Sequence, residues 1–271
     1  MNSISYVVPT LNSAKTLNQT LLSLLTQVGV RVNVIVVDSD STDSTLEICK
    51  KWGIKVLYAK PGNMYHAINT GLSQCDTEWL GYLNSDDYLY SNSLNSMIEI
   101  GNREFSDVVY GNCDYVDFFG RFIYSLESAK TTNLLSLLNL GVMGFNPAAT
   151  IFRRSLFEKL GGFSETYKLA ADYHFFARAF QIKSRFTKIG SLPIACFRIH
   201  DSQLSNVMCD RHLSEVYEIA SELFPTPVKN QSIVMAKWRM SNLSHYLLRF
   251  FRQSIVSGKL SFRPSMKSNL F

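Results

Sequence analysis

The chain has 271 residues, 46% of them hydrophobic and 18% charged, a balance that suits a packed body and excludes an extended disordered protein. Its formal net charge is +5, yet eight of the 27 basic residues follow Glu222, beyond which no acidic residue occurs. That leaves 19 basic against 22 acidic residues in the preceding body. A basic tail on a mildly acidic body is not the footprint of a nucleic-acid-binding protein, so no nucleic-acid partner is expected.

The first residues, Met-Asn-Ser-Ile-Ser-Tyr-Val-Val, lack the basic region and long apolar core of a signal peptide. No apolar run reaches the roughly 18 residues that span a bilayer. Five cysteines without CxxC spacing read as reduced thiols of a cytoplasmic protein.

Ile4 to Val8 is a β-branched and aromatic run stopped by Pro9, which predicts a strand entering a loop. Ser13 is placed to cap a helix carrying Leu17, Leu21, Leu24 and Leu25 at helical spacing. Val32 to Val37 reads as a central parallel strand ending at Asp38. Ser39-Asp40-Ser41-Thr42-Asp43-Ser44 then precedes a helix through Leu46, Ile48, Cys49 and Trp52. A strand at 54–58, a Pro61-Gly62 turn and a helix over 64–75 follow.

The next strand, Trp79-Leu80-Gly81-Tyr82-Leu83, runs into Asn84-Ser85-Asp86-Asp87. Two adjacent carboxylates at a strand end repel each other. A divalent cation with hard oxygen ligands relieves that repulsion, and a solvated turn is the alternative. Beyond it, strands are expected at 108–110 and 148–152, with a hairpin around Phe119-Gly120 within 113–125. Helices are expected at 133–140, 154–160 and 172–180, and a strand at 193–199. The alternation of strand and helix predicts an α/β fold with a mostly parallel central sheet flanked by helices. Asp38 and the Asp86-Asp87 pair then end parallel strands on one sheet edge, where open α/β sheets bind ligands.

Tyr6-Val7-Val8-Pro9-Thr10-Leu11-Asn12, Val36-Val37-Asp38-Ser39-Asp40 and Leu83-Asn84-Ser85-Asp86-Asp87 together resemble the successive signatures of the inverting family 2 glycosyltransferases, which have the GT-A (Rossmann-like) fold. The resemblance continues through Phe152–Phe163, Ala170-Ala171-Asp172-Tyr173 and Phe197-Arg198-Ile199-His200, and spans roughly residues 3–205. It implies a catalytic domain over residues 1–223, with residues 224–271 as a basic amphipathic helical tail. It further implies that Asp172 is the catalytic base and that Asp38 bonds the nucleobase beside a wall formed by Pro9 and Thr10. The wider nucleotide-binding set is Asn12, Asp40, Asn69, Asn84, Ser85 and Asp86. Asp86, Asp87 and His200 hold Mg²⁺ or Mn²⁺, with Asp87 expected to coordinate most directly.

The chain departs from the family pattern in two places. Ser39-Asp40 replaces the usual glycine-containing pair, and Asp tolerates left-handed backbone angles better than most residues. Asn84 stands where many members have Asp, keeping an oxygen ligand while dropping a charge.

The implied substrates are a nucleotide-diphosphate sugar and a saccharide or lipid-linked saccharide of a surface polysaccharide. A sugar-nucleotide pyrophosphorylase would need a Gly-rich basic loop after the first strand, which Pro9–Lys15 does not supply. A non-catalytic sugar-nucleotide-binding partner is the other alternative. In the tail, Trp238, Met240, Leu243, Tyr246, Leu247, Phe250 and Phe251 interleave with Lys237, Arg239, Arg249 and Arg252. Such a helix suits the anionic inner face of the plasma membrane, packing on the catalytic body, or a homo-oligomer contact.

Overall fold

The computed structural model describes residues 1–200, 208–226, 231–244 and 247. Its first half alternates β1 (Asn2–Thr10), α1 (Leu17–Leu25), β2 (Val30–Asp38), α2 (Thr45–Lys51), β3 (Lys55–Tyr58), α3 (Met64–Leu72) and β4 (Trp79–Tyr82). Then come β5 (Tyr88–Leu89), α4 (Ser93–Arg103), β6 (Val108–Val116), β7 (Phe122–Leu126) and α5 (Thr131–Asn139). A 3₁₀ turn (Pro147–Ala149) leads into β8 (Thr150–Arg153), α6 (Arg154–Leu160), α7 (Ala171–Gln181), β9 (Phe186–Arg198), α8 (Cys209–Leu223) and α9 (Gln231–Ser241).

Among the described residues the sheet has nine strands in the order β3-β2-β1-β4-β8-β6-β9-β5, with β7 paired to β6. The β3-β2-β1-β4 half is parallel, as the βα alternation requires. From β8 onward the sheet is mixed: β8 runs antiparallel to both β4 and β6, β9 runs parallel to β6, and β5 runs antiparallel to β9. That β5–β9 pairing carries the acidic turn after β4 to the end of β9.

Period-two alternation divides the core. Ile4, Tyr6, Val8, Val34 and Val36 face the layer of α1, α2 and α4, while Val7, Ile35 and Val37 face the layer of α3 and α5–α8. The Val/Ile run of β2 is therefore covered on both faces. Helix α3 lies close on the sheet because Gly71 has no side chain: a Cβ there would stand 2.6 Å from Val7 Cγ1. All five cysteines are free thiols, four of them buried.

Several elements differ from expectation. β1 does not stop at Pro9. The Val7 carbonyl accepts from Leu83 N–H and the Thr10 carbonyl from Ser39 N–H, so Pro9 faces the β4 side past the last β4 pair, where no donor is required. Ser13 does not cap α1 with its side chain. Its carbonyl accepts from Thr16 and Leu17, while its hydroxyl turns to Ser85 Oγ at 2.7 Å. The 64–75 helix ends at Leu72, and β9 starts seven residues before Pro193, at Phe186. Helices α4 and α8 lie outside the expected elements.

The basic tail is anchored at its start. Trp238 is 6% exposed within the core cluster of α3 and α5–α8, and Asn242 is fully buried, accepting from Glu127 N–H. Tyr246, Arg249, Phe250, Phe251 and Arg252, named above for the amphipathic face, lie outside the described residues. No helix among the described residues is long and apolar enough to cross a membrane.

Candidate active site

The carboxyl ends of β1 and β2 are in register, with Thr10 opposite Asp38. Asp38 is 1% exposed. Its Oδ2 accepts from the Thr10 hydroxyl at 2.9 Å and from the Ser41 hydroxyl, and its Oδ1 accepts from Ser41 N–H at 2.9 Å. A buried carboxylate held by three donors is fixed in direction and has remaining acceptor capacity at Oδ1. Asp40 is exposed with φ +63°, so an aspartate does occupy the left-handed position usually given to glycine. Asn12, also left-handed at φ +52°, accepts from Thr42 N–H at 2.8 Å and ties the loop after β1 to that after β2.

At the end of β4 the acidic turn separates its members. Asp87 is fully buried. Its Oδ1 accepts from Arg198 N–H at 2.8 Å, its Oδ2 from the Asn84 amide at 3.3 Å, and its backbone carbonyl from the Thr20 hydroxyl at 2.7 Å. Burial, and then the Asp86 charge, push the Asp87 carboxyl well above the usual carboxylate range. Both Asp87 oxygens are turned to protein donors with acceptor capacity left over, and Asp87 is the buried member of the pair. Asp86 is the exposed member: its Oδ2 lies 2.7 Å from His200 Nε2, with both side chains about a fifth exposed. In the same turn Asn84 Oδ1 is buried without a hydrogen-bond partner among the described residues. Ser85 holds the turn to the β1–α1 loop through Ser13.

Arg198, which the sequence reading left without a role, ties this turn together. Only 2% exposed, it donates from Nε to the Asp86 carbonyl at 2.7 Å and from Nη2 to Gln19 Oε1 at 2.7 Å. Its Nη1 donates to the Phe118 carbonyl in the β6–β7 hairpin. The signal for it lay in the Phe197-Arg198-Ile199-His200 motif, since a buried arginine at a strand end needs several acceptors. Phe118 meets the His200 ring edge-on at 6.2 Å.

Asp172 sits in the first turn of α7, half-buried, with Oδ1 accepting from Tyr173 N–H at 2.7 Å. Two buried hydroxyls that sequence reasoning did not assign lie within electrostatic reach of its carboxylate: Tyr65 from α3 and Tyr82 from β4. Burial pushes the Asp172 carboxyl up, against the His212 charge, the Tyr173 N–H and the Tyr65 hydroxyl. Burial also raises both tyrosines well above their ordinary value, Asp172 adding to the effect, which keeps them neutral donors. Tyr82 lies within electrostatic reach of Asp87 as well as of Asp172.

Asn69 is partly buried and bonded to the segment before α7. Its amide nitrogen donates to the Phe163 carbonyl at 2.8 Å and to Glu165 Oε1 at 3.2 Å, while its oxygen accepts from Phe163 N–H at 2.9 Å. Gly162, at φ +79°, makes room for that oxygen.

The Glycosyl transferase family 2 model matches residues 5–161, more than half of the chain. The chain belongs to that family. It is a glycosyltransferase, and its mixed sheet flanked by helices is the GT-A-like α/β fold. A Rickettsia typhi protein named as an uncharacterized glycosyltransferase is 25% identical over 260 residues, covering 93% of this chain and 80% of the relative. A PGL/p-HBAD biosynthesis glycosyltransferase of Mycobacterium tuberculosis is 27% identical, covering 81% of this chain and 85% of its own length. The structure of S. aureus TarS in complex with UDP superposes with a TM-score of 0.67 at 23% identity, over 97% of this chain and 76% of that one. The mannosyltransferase PcManGT of Pyrobaculum calidifontis, in complex with GDP-Man and Mn²⁺, gives 0.62 at 19% identity over 94% and 74%.

The residues present fit a divalent cation. Among the described residues no three His, Cys, Asp or Glu side chains converge, so an all-protein cage is not the geometry. Asp86, His200 and the unpartnered Asn84 oxygen instead offer a partial shell. Magnesium-type sites that share their ion with substrate phosphates and water are built this way.

Proposed function

We propose that this glycosyltransferase is inverting and dependent on Mg²⁺ or Mn²⁺. It would move a sugar from a nucleotide-diphosphate donor to a hydroxyl of a saccharide or lipid-linked saccharide destined for the cell surface. The observation that carries the reading is that Tyr82, on the strand leading into the acidic turn, lies within electrostatic reach of both Asp172 and Asp87, which supports a base and a diphosphate-binding acid sharing one crevice.

Asp38 accepts an N–H of the nucleobase at Oδ1, against the Pro9 and Thr10 wall, with Asn12 and Asp40 lining the ribose side. Asp86, with Asn84 and His200, would hold the cation. When bound, that ion supplies Lewis-acid stabilisation of the charge growing on the diphosphate leaving group. Asp172 takes the proton of the acceptor hydroxyl as that oxygen bonds the anomeric carbon, and the carbon–phosphate-oxygen bond breaks on the opposite face. Its raised pKa brings its basicity closer to that task, and Tyr65 and Tyr82 aim it. One displacement without a covalent nucleophile inverts the centre. The β6–β7 hairpin, with Phe118 40% and Phe119 77% exposed beside His200, supports an acceptor wall on that side.

The tail supports both packing and membrane association. Trp238 packs inward, whereas Met240, Leu243 and Leu247 are exposed near Lys237 and Arg239. That composition supports peripheral attachment to the inner face of the plasma membrane.

The test is donor hydrolysis and transfer with UDP-GlcNAc and GDP-mannose, with Mg²⁺ or Mn²⁺ and after chelation. Loss of turnover in Asp172→Asn with retained UDP or GDP binding is the result expected. Full turnover in the chelated wild type would remove the metal from the reading, and wild-type turnover in Asp172→Asn would remove the base. A wild-type chain that binds nucleotide sugar without turnover would favour the non-catalytic partner.

A further inference from the structure

Helix α8 follows the catalytic strands, beyond the stretch matched by the family model, and two side chains one turn apart on it face the segment that carries Asp172. Glu215 is 7% exposed. Its Oε2 accepts from Leu169 N–H at 2.8 Å and Ala170 N–H at 3.1 Å, and its Oε1 from Lys168 N–H at 3.2 Å. Arg211 Nε donates to the same Oε1 at 3.1 Å. Burial raises the Glu215 carboxyl, but those three backbone donors and Arg211 outweigh it and hold the group below its ordinary value.

These N–H groups lead directly into α7. The residue at the N-cap of that helix is Ala170, which has no side chain able to accept a bond. Glu215, from another helix, instead takes the three N–H groups that lead up to and include the N-cap residue. On the other side of the same segment, the Leu169 carbonyl accepts from the Tyr65 hydroxyl at 3.3 Å. The turn bearing Asp172 is thus gripped by α8 through its N–H groups and by α3 through a carbonyl.

We propose that α8 positions the catalytic base: Glu215 fixes the 168–170 backbone so that Asp172 is held at the crevice. This rests on Asp172 being the base. Glu215 does not touch the reacting atoms, so its effect is on turnover and not on donor binding.

The full chain carrying Glu215→Gln, Glu215→Ala or Asp172→Asn is assayed with UDP-GlcNAc and GDP-mannose, using donor KM, kcat and the melting temperature. Glu215→Gln is expected to lower kcat about tenfold with donor KM unchanged, and Glu215→Ala to lower it further, since small misplacements of a catalytic group are costly. A Glu215→Gln chain with wild-type kcat, or one whose lost activity is matched by lost folded fraction, overturns the positioning role. If Glu215→Ala does not fold, Glu215→Gln still decides. Wild-type turnover in Asp172→Asn would instead strike the base reading on which the proposal stands.

Discussion

His200 Nε2 lies 2.7 Å from Asp86 Oδ2, joining residues 114 apart in sequence where β9 ends beside the acidic turn. Of the two adjacent acids, this pairing singles out Asp86 as the one presented to the crevice, while Asp87 serves the fold beneath it.

The two acids should therefore fail differently. Asp86→Ala is expected to abolish the stimulation of donor turnover by Mn²⁺ while barely changing the melting temperature of the free protein. Asp87→Ala leaves the Arg198 N–H and the Asn84 amide without their acceptor, each loss costing about 1–3 kcal/mol. It should lower stability in chemical denaturation and keep a Mn²⁺-dependent melting shift in the fraction that folds. Equal stability in the two variants would contradict this division.

The pH dependence follows from Asp172. Its folded-state pKa is raised, so activity that needs the ionised base is lost as pH falls through a value above the ordinary carboxylate range. The stability effect runs the other way. A carboxyl with a raised folded pKa favours the fold below its unfolded pKa, and that contribution is lost as pH rises through the folded pKa. Asp172→Asn should thus be inactive at neutral pH yet melt higher than the wild type there, with the difference vanishing in acid. Thermal melts of both chains across pH 3 to 8 provide the check.

The tail should divide near Asn242. Trp238→Ala is expected to cost about 3 kcal/mol, because it empties a large buried site against α5 and α8. Removing residues 243–271 spares Trp238 and Asn242 and should leave donor hydrolysis unchanged while ending sedimentation with phosphatidylglycerol vesicles. Undiminished vesicle binding by the shortened chain would place membrane contact elsewhere.

Phe119→Ala, at the tip of the β6–β7 hairpin, should raise the acceptor KM about fivefold, equivalent to about 1 kcal/mol of lost aromatic contact. Donor hydrolysis without acceptor should be unaffected. A parallel fall in both activities would assign the hairpin to the donor site instead.

Much of the architecture was legible along the chain because it rests on local periodicity. The β2 run from Val32 to Val37 required two covered faces and has them. Asp40 adopts the left-handed backbone that its replacement of glycine implied. Helices α4 and α8 were not expected, although Leu94, Met97 and Ile98, and Val216, Ile219 and Ala220, stand at helical spacing and are buried. The mixed half of the sheet was not legible, since β8 and β9 pair with strands tens of residues away and no local pattern records the direction of that pairing.

The site divides in the same way. Motif order in the sequence by itself determined the family, the crevice edge with Asp38, the acidic turn, and Asp172 as the lone acid opening a later helix. Which carboxylate faces the crevice was decided only by the tertiary structure, because Asp86 and Asp87 are chemically identical until Arg198 and Asn84 claim one and His200 meets the other. The same holds for Asn69, drawn away by Phe163 and Glu165, and for Asp172, whose neighbours Tyr65, Tyr82 and His212 come from three separate elements. A side chain's type fixes what it can bond; burial and partners brought from distant strands and helices fix what it does bond.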